Sequence, residues 1–493
     1  METLGLQAKK IMRSFPNKIA VTSNERAITY KELYDRAMGM ASFFRSAGMK
    51  KGDRFGVLMS NRLEHIELDL AAAFGGFIKV PLNYRLHPNE HEYMIGDAEL
   101  SILIGEKELI EPIKTEVKTV FIGADYDRQI KNFFGREVEE GVHGDDLFAI
   151  MYTSGTTGNP KGVMLSHRNI ISSALSLSQA CEVNKHDIIG HVAPLTHGSN
   201  FLSHVSWLHG NTQVIYNKFQ PEEFIDDIEK DKVSVIFLVP TMVNLMIQHP
   251  QFQPEKLKSI KSINMAGSPI AASKLKVALD LLGTIFVQTF GQVEAPMCIT
   301  IMMRDEQMDR LESCGRQAPF VEMKIVDDEW NEKPAGEVGE IVCKGSLVMK
   351  GYWNNPEATE ETLVDGWLKT GDLGWVDEHG YLHIVDRIKE VIISGGVNIY
   401  PREIEEVLNK HPGVKETAVI GVRDAKWGEA VVAYIVPNGT EEVAEEQLIE
   451  LCNDHLASFK KPKKIIITES LPKSSYGKIL KRELVKRHEG VVK

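Results

Sequence analysis

Residues 152–162 read YTSGTTGNPKG. Gly155 and Gly158 let successive backbone N–H groups converge on one point, and the hydroxyls of Thr153, Ser154, Thr156 and Thr157 add further donors. Lys161 supplies a positive charge. Leu147 to Met151, just upstream, is apolar and strand-like, so the run predicts an oxyanion-binding turn at a strand end. It is not a G-x-x-x-x-G-K-[ST] loop, which needs Gly where Pro160 stands and Ser or Thr where Gly162 stands. Any nucleotide phosphate is therefore held in another way.

Other chemistries are less well supplied. The five cysteines (181, 298, 314, 343 and 452) form no C-x-x-C pair, which argues against a disulfide framework and a structural zinc site. They predict a reducing, cytoplasmic setting. His191, His197, His204 and His209 lie close together, but without H-E-x-x-H spacing or a cysteine they predict pocket or core histidines rather than a metal site. With 57 Lys plus Arg against 69 Asp plus Glu, the net charge of −12 excludes a general nucleic-acid binder.

The elements that must position these residues alternate in type. Thr29 and Glu32 form a capping box ahead of an apolar stripe of Leu33, Ala37, Met40 and Phe44. Residues 54–60, 77–81, 233–238 and 262–265 predict strands; 63–74, 240–249 and 268–282 predict helices. This alternation implies a parallel α/β sheet. From about 315, turn signals such as PAGEVGE separate short strands of a small antiparallel unit. The last hundred residues predict a small α+β module, with strands at 391–394, 414–422, 430–436 and 464–468 and helices at 401–409 and 445–455. The first residues lack the apolar core of a secretory signal, and no apolar run reaches the roughly 20 residues of a membrane span. The longest candidate, from Leu70 to Ile78, is bounded by Asp69 and Lys79. Peripheral membrane contact and a homodimer remain open.

The 152–162 loop is followed by PLTHGS (194–199), AGSP (266–269), TFGQVE (289–294), GYWNNPEAT (351–359), GWLKTGD (366–372), DRIKEVIISGGVNIYPREIE (386–405) and PKSSYGKILKREL (472–484). In this order the motifs resemble those of the adenylate-forming superfamily: acyl-CoA synthetases, peptide-synthetase adenylation domains and firefly-type luciferases. The resemblance implies a large N-terminal adenylation domain (1–388) and a mobile C-terminal domain (389–493) with a hinge near Lys389. It implies activation of a carboxylate with Mg²⁺ and ATP to an acyl-adenylate, then transfer to CoA. Two anions meet in the first step, so cations and N–H donors matter more than a base.

The roles the resemblance implies are these. Lys478 matches the lysine bridging carboxylate and α-phosphate, and Glu294 the Mg²⁺ ligand. Asp372 matches the ribose acceptor, with Arg387 as second ribose contact. Ala266, Gly267 and Ser268 match the segment under adenine. Thr289, Phe290 and Gly291 complete the nucleotide site, where Phe290 and Val293 replace the commoner Tyr and Thr. His197 matches the gate of the acyl pocket, whose other candidates are Ser199, Val239, Thr241, Met242 and Cys298. Gly267 and Gly291 are expected to adjoin that pocket. Gly395, Gly396, Trp427 and Gly428 match the thioester-forming region, and Phe459 with Lys460 or Lys461 the CoA nucleotide site. The pocket positions hold no fixed cation, so the expected substrate is a fatty acid of medium to long chain; an aryl acid, or a luciferase-type reaction, is the alternative.

Overall fold

The computed structural model describes residues 3–23, 26–138, 141–153, 160–439, 441–474 and 478–490. Within them the strands form four sheets. The largest, of nine strands, has a parallel centre in the order Ile19–Ser23, Thr212–Ile215, Ile188–His191, Val235–Leu238, Ser262–Met265, Phe286–Gln292. Its edges are antiparallel, and one contains the hairpin of Phe286–Gln292 with Ala295–Met302. A six-stranded sheet is parallel except for the hairpin Leu147–Thr153/Lys161–Ser166.

Helices Tyr30–Ser46, Glu64–Gly75, His167–Ala180 and Gly198–His209 share one continuous core with these two sheets. Every residue of Glu64–Gly75 is buried, as expected of a helix apolar on most faces. The Thr29–Glu32 capping box forms, with Thr29 N donating to Glu32 Oε2 at 2.7 Å. Asp69 and Lys79, which bound the long apolar run, are both buried and pair with each other; Asn200 and His204 donate to the other Asp69 oxygen at 2.8 and 3.3 Å. Among the described residues no helix is long and apolar enough to cross a membrane.

The third sheet is antiparallel: Val321–Val326, Gly339–Gly345, Trp367–Val376 and Leu363–Val364, with Leu382–Arg387 also paired to Trp367–Val376. The fourth consists of Val397–Ile399, Ile392–Ser394, Gly428–Pro437, Val414–Asp424 and Lys464–Ile467, with its own apolar clusters. Several expected boundaries shift by two or more residues. The helix expected from 268 begins at Ala272, because Gly267 adopts φ +91° and the chain stays extended to Ala271. The strand expected at 430–436 spans Gly428–Pro437.

Candidate active site

The hydroxyl- and glycine-rich run lies between the strands of a hairpin in which Thr153 is opposite Lys161. Ser154, Gly155, Thr156, Thr157 and Gly158 lie outside the described residues. The hairpin's base is clamped from outside: Asp97 accepts from Tyr152 OH on its carboxylate (2.5 Å) and from Trp353 Nε1 on its carbonyl (3.0 Å). Segment 349–353 runs alongside Lys161–Ser166, with Met164 N donating to Gly351 O (2.9 Å) and Trp353 N to Gly162 O (2.7 Å). The same segment reaches Glu294, whose carbonyl accepts from Met349 N at 2.8 Å. Glu294 sits in the turn of the Phe286–Gln292/Ala295–Met302 hairpin. A hard carboxylate oxygen, half-buried beside Lys161, is donor chemistry that fits Mg²⁺.

Asp372 and Arg387 are cross-strand partners, and Arg387 Nε lies 3.1 Å from Asp372 Oδ1. The carboxylate is buried and the guanidinium half exposed. Burial raises the Asp372 pKa, against the lowering influence of Arg387 and Lys478. Arg387 therefore does not pair with Asp386, which instead accepts from the backbone N–H groups of Arg387 (2.8 Å) and Arg402 (3.0 Å).

Lys478 is held to Ser474: Ser474 N donates to Lys478 O (2.7 Å) and Lys478 N to Ser474 Oγ (3.2 Å). Its residue surface is open to water, yet its ammonium is crowded by neighbouring atoms. Burial and then Arg387 lower its pKa, while Glu390 and Asp372 raise it. The residue keeps surface in water while its ammonium lies near the charges of Arg387, Glu390 and Asp372. The structure thus brings Asp372, Arg387 and Lys478 together from two sheet systems.

Ala266 is half-buried, Gly267 and Ser268 are exposed, and Thr289 is buried and accepts from Asn264 Nδ2 at 3.1 Å. Phe290 and Val293 pack against the main core, and Gln292 Nε2 donates to Thr370 O at 3.4 Å. His197 caps the helix Gly198–His209, lies 2.9 Å from Thr196 Oγ1, and has its pKa pushed down to about 3 by burial. Val239, Thr241 and Met242 are each partly accessible. Ser199 and Cys298, also expected at the pocket, are completely buried, Ser199 bonded to His191 Nδ1 at 3.0 Å and Cys298 packed within the core. At Gly291 a Cβ would stand 2.7 Å from the Met297 backbone, so the hairpin's close approach requires a glycine there.

Lys389 lies in an exposed turn, Ile388–Glu390. Gly395 (φ +58°) and Gly396 (φ +79°) turn beside Trp427: Gly395 N donates to Trp427 O at 2.7 Å, and Ser394 pairs with Gly428. Phe459 is exposed. Lys460 is engaged by Glu403 (2.6 Å) and Lys461 by Asn453 (2.8 Å), so neither cation is idle at the expected CoA site. Tyr352 escaped sequence reasoning. Its motif was visible, but nothing in the spacing indicates that it meets Glu294.

The family model for AMP-binding enzymes matches residues 8–353, and that for the AMP-binding enzyme C-terminal domain matches 403–478. The chain belongs to the adenylate-forming superfamily. It is 34% identical over 486 residues to a feruloyl-CoA synthase of Amycolatopsis sp, covering 98% of this chain and 99% of that protein. It is 33% identical over 480 residues to a long-chain-fatty-acid–CoA ligase of Mycobacterium tuberculosis, covering 95% of each. The crystal structure of ATP-bound MatB from Rhodopseudomonas palustris superposes with a TM-score of 0.92 at 30% identity over the whole of both chains.

Proposed function

We propose that this member of the superfamily is an ATP-dependent acid–CoA ligase, forming an acyl-adenylate and pyrophosphate and then an acyl-CoA thioester and AMP. The observation that carries this reading is the convergence of Asp372, Arg387 and Lys478. A buried carboxylate acceptor suits a ribose diol. An ammonium beside that carboxylate suits the meeting of an acid with the α-phosphate, where its charge offsets the repulsion of two anions. Thr153 and Lys161 flank the phosphate end. Glu294 would hold Mg²⁺, which when bound neutralises phosphate charge. CoA would approach over Gly395, Gly396 and Trp427, after the unit from residue 389 onward turns about Lys389.

The acid is read as hydrophobic with an uncharged tail, fatty or aryl. Val239, Thr241, Met242 and Ala266 offer apolar or small surface, and Lys79, behind the helix Gly198–His209, is already engaged by Asp69. An unpaired buried charge on the tail would cost several kcal/mol. Feruloyl- and long-chain-fatty-acid–CoA ligases are among the relatives, as is a 2-succinylbenzoate–CoA ligase at 34% identity, whose acid carries a second carboxylate, so the reading rests on the pocket residues. The test is pyrophosphate release with fatty acids of graded length, aryl acids and dicarboxylates, with and without CoA. Each buried methylene contributes up to about 0.8 kcal/mol, so kcat/KM should rise severalfold per added pair of carbons until the pocket is full. A maximum at acetate, malonate or succinate would overturn the substrate class. Pyrophosphate release independent of any acid would overturn the ligase reading.

A further inference from the structure

Lys161 and Glu294 carry opposite charges and both contact one residue, yet they do not pair directly. Between them stands Tyr352, only 8% exposed. Its hydroxyl donates to Glu294 Oε1 at 2.9 Å, and its ring centroid lies 4.9 Å from Lys161 Nζ. The side chain is fixed from behind: Val163 and Tyr352 are bridge partners, Tyr352 N donates to Thr359 Oγ1 at 2.9 Å, and Trp353 is tied to Asp97. Burial, and then the Glu294 charge, push the phenol pKa up, so Tyr352 is a neutral donor across the working pH range.

We propose that Tyr352 is a positioning residue: a spacer whose hydroxyl aims the Glu294 carboxylate and whose ring face holds the Lys161 ammonium, so that the two charges stay apart and available to Mg²⁺ and phosphate. This rests on the nucleotide reading above. A terminal carboxylate torsion is broad, and a hydrogen bond to one oxygen fixes the direction of the other. Partners that orient a metal-binding carboxylate typically contribute 10- to 100-fold in metal affinity. The ring contributes through its negative face, a modest attraction at a half-exposed ammonium. Without the ring, Lys161 and Glu294 are free to close into an ion pair that ATP and metal must break.

Two variants separate the hydroxyl from the ring. Tyr352→Phe keeps the spacer and loses the aim. Calorimetric ATP binding without acid should then require roughly tenfold more Mg²⁺ for half-saturation, with metal-free ATP affinity unchanged. In turnover, the apparent Mg²⁺ requirement should rise while kcat at saturating Mg²⁺ is largely kept. Tyr352→Leu also loses the spacer, so metal-free ATP affinity should fall about two- to fivefold. A Tyr352→Phe titration coinciding with wild type would overturn the proposal, and would do so even if Tyr352→Leu failed to fold. A folded Tyr352→Leu protein with wild-type metal-free affinity would overturn the spacer role. A wild-type protein that binds no ATP would overturn the functional reading, and this inference with it.

Discussion

Asp372 is 4% exposed on a strand bonded on both sides, whereas Trp427, Phe459 and Ile393 leave 43%, 48% and 55% of their surfaces in water. The first is assigned to the nucleotide half of the site, Trp427 and Phe459 to the half expected to meet CoA, and Ile393 stands on the short strand that leads into Gly395 of that half. In the nucleotide half, polar groups are held by sheet register and already paired: Asp372 with Arg387, Glu294 with Tyr352. In the other half, large apolar side chains stand on turns or short strands, Trp427 and Ile393 of them near left-handed glycines. Preorganised polar groups suit a charge-stabilising step, because they need no rearrangement when charge develops. Exposed apolar surface suits a face that is covered only at another stage. The contrast fits two half-reactions that use different halves of the site.

The strongest way to break this comparison is Lys478→Ala. Acid-dependent ATP–pyrophosphate exchange should fall by about 10²- to 10³-fold, while thioester formation from supplied acyl-adenylate should fall far less. Near-normal exchange would remove Lys478 from the nucleotide half. Asp372→Asn comes next, with an expected loss of about 10- to 100-fold in ATP affinity from weakened charge-assisted hydrogen bonds. Its stability effect has the opposite sign. Because burial raises the Asp372 pKa, folding disfavours the ionised form; that cost is absent below the unfolded pKa and complete above the folded one. At pH 7–8 the asparagine variant should therefore melt no lower than wild type, since half-exposed Arg387 stays hydrated. A clear drop in melting temperature would show that the ion pair outweighs the desolvation.

Lys389→Pro sharpens the comparison at the join. Restricting φ in the turn should slow CoA transfer roughly tenfold and leave adenylation near wild type; equal loss of both would mean that the two halves do not move separately. Trp427→Ala should have the smallest effect, a severalfold rise in KM for CoA with unchanged exchange and melting temperature, since little of its surface is buried. An effect on exchange would merge the two halves.

The local parts of this architecture were legible because their signals are local. The Thr29–Glu32 box, the strand Ser262–Met265 and the helix Glu445–His455 depend on neighbours within a few residues, and each forms where expected. The parts that were not legible depend on distant chain. Ser199 follows the gate histidine in its motif, but its side chain faces His191 inside the core, and no motif specifies which way a helix face points. Asp69 and Lys79 look like interruptions of an apolar run, and their burial becomes affordable only through each other and through Asn200 and His204. Gly291 is a glycine because Met297 passes close by across a hairpin, which sequence spacing does not state. Tyr352 reaches Glu294 only because segment 349–353 lies along the strand that begins with Lys161.

Arg387 ends its strand immediately before the turn Ile388–Glu390, while Lys478 lies far along the chain that follows. If the unit from residue 389 onward turns about Lys389, Arg387 lies on the fixed side of that pivot and Lys478 on the moving side. A group ahead of the pivot keeps its place when the unit turns, whereas one carried by the unit does not. Turning the small unit would withdraw the Lys478 charge and leave the Asp372–Arg387 pair where it was. The protein would then have one stationary cation and one removable cation over the same nucleotide. In that reading the stationary one would keep the activated acid tethered by its ribose, and the departure of the other would clear the phosphate side for an incoming thiol.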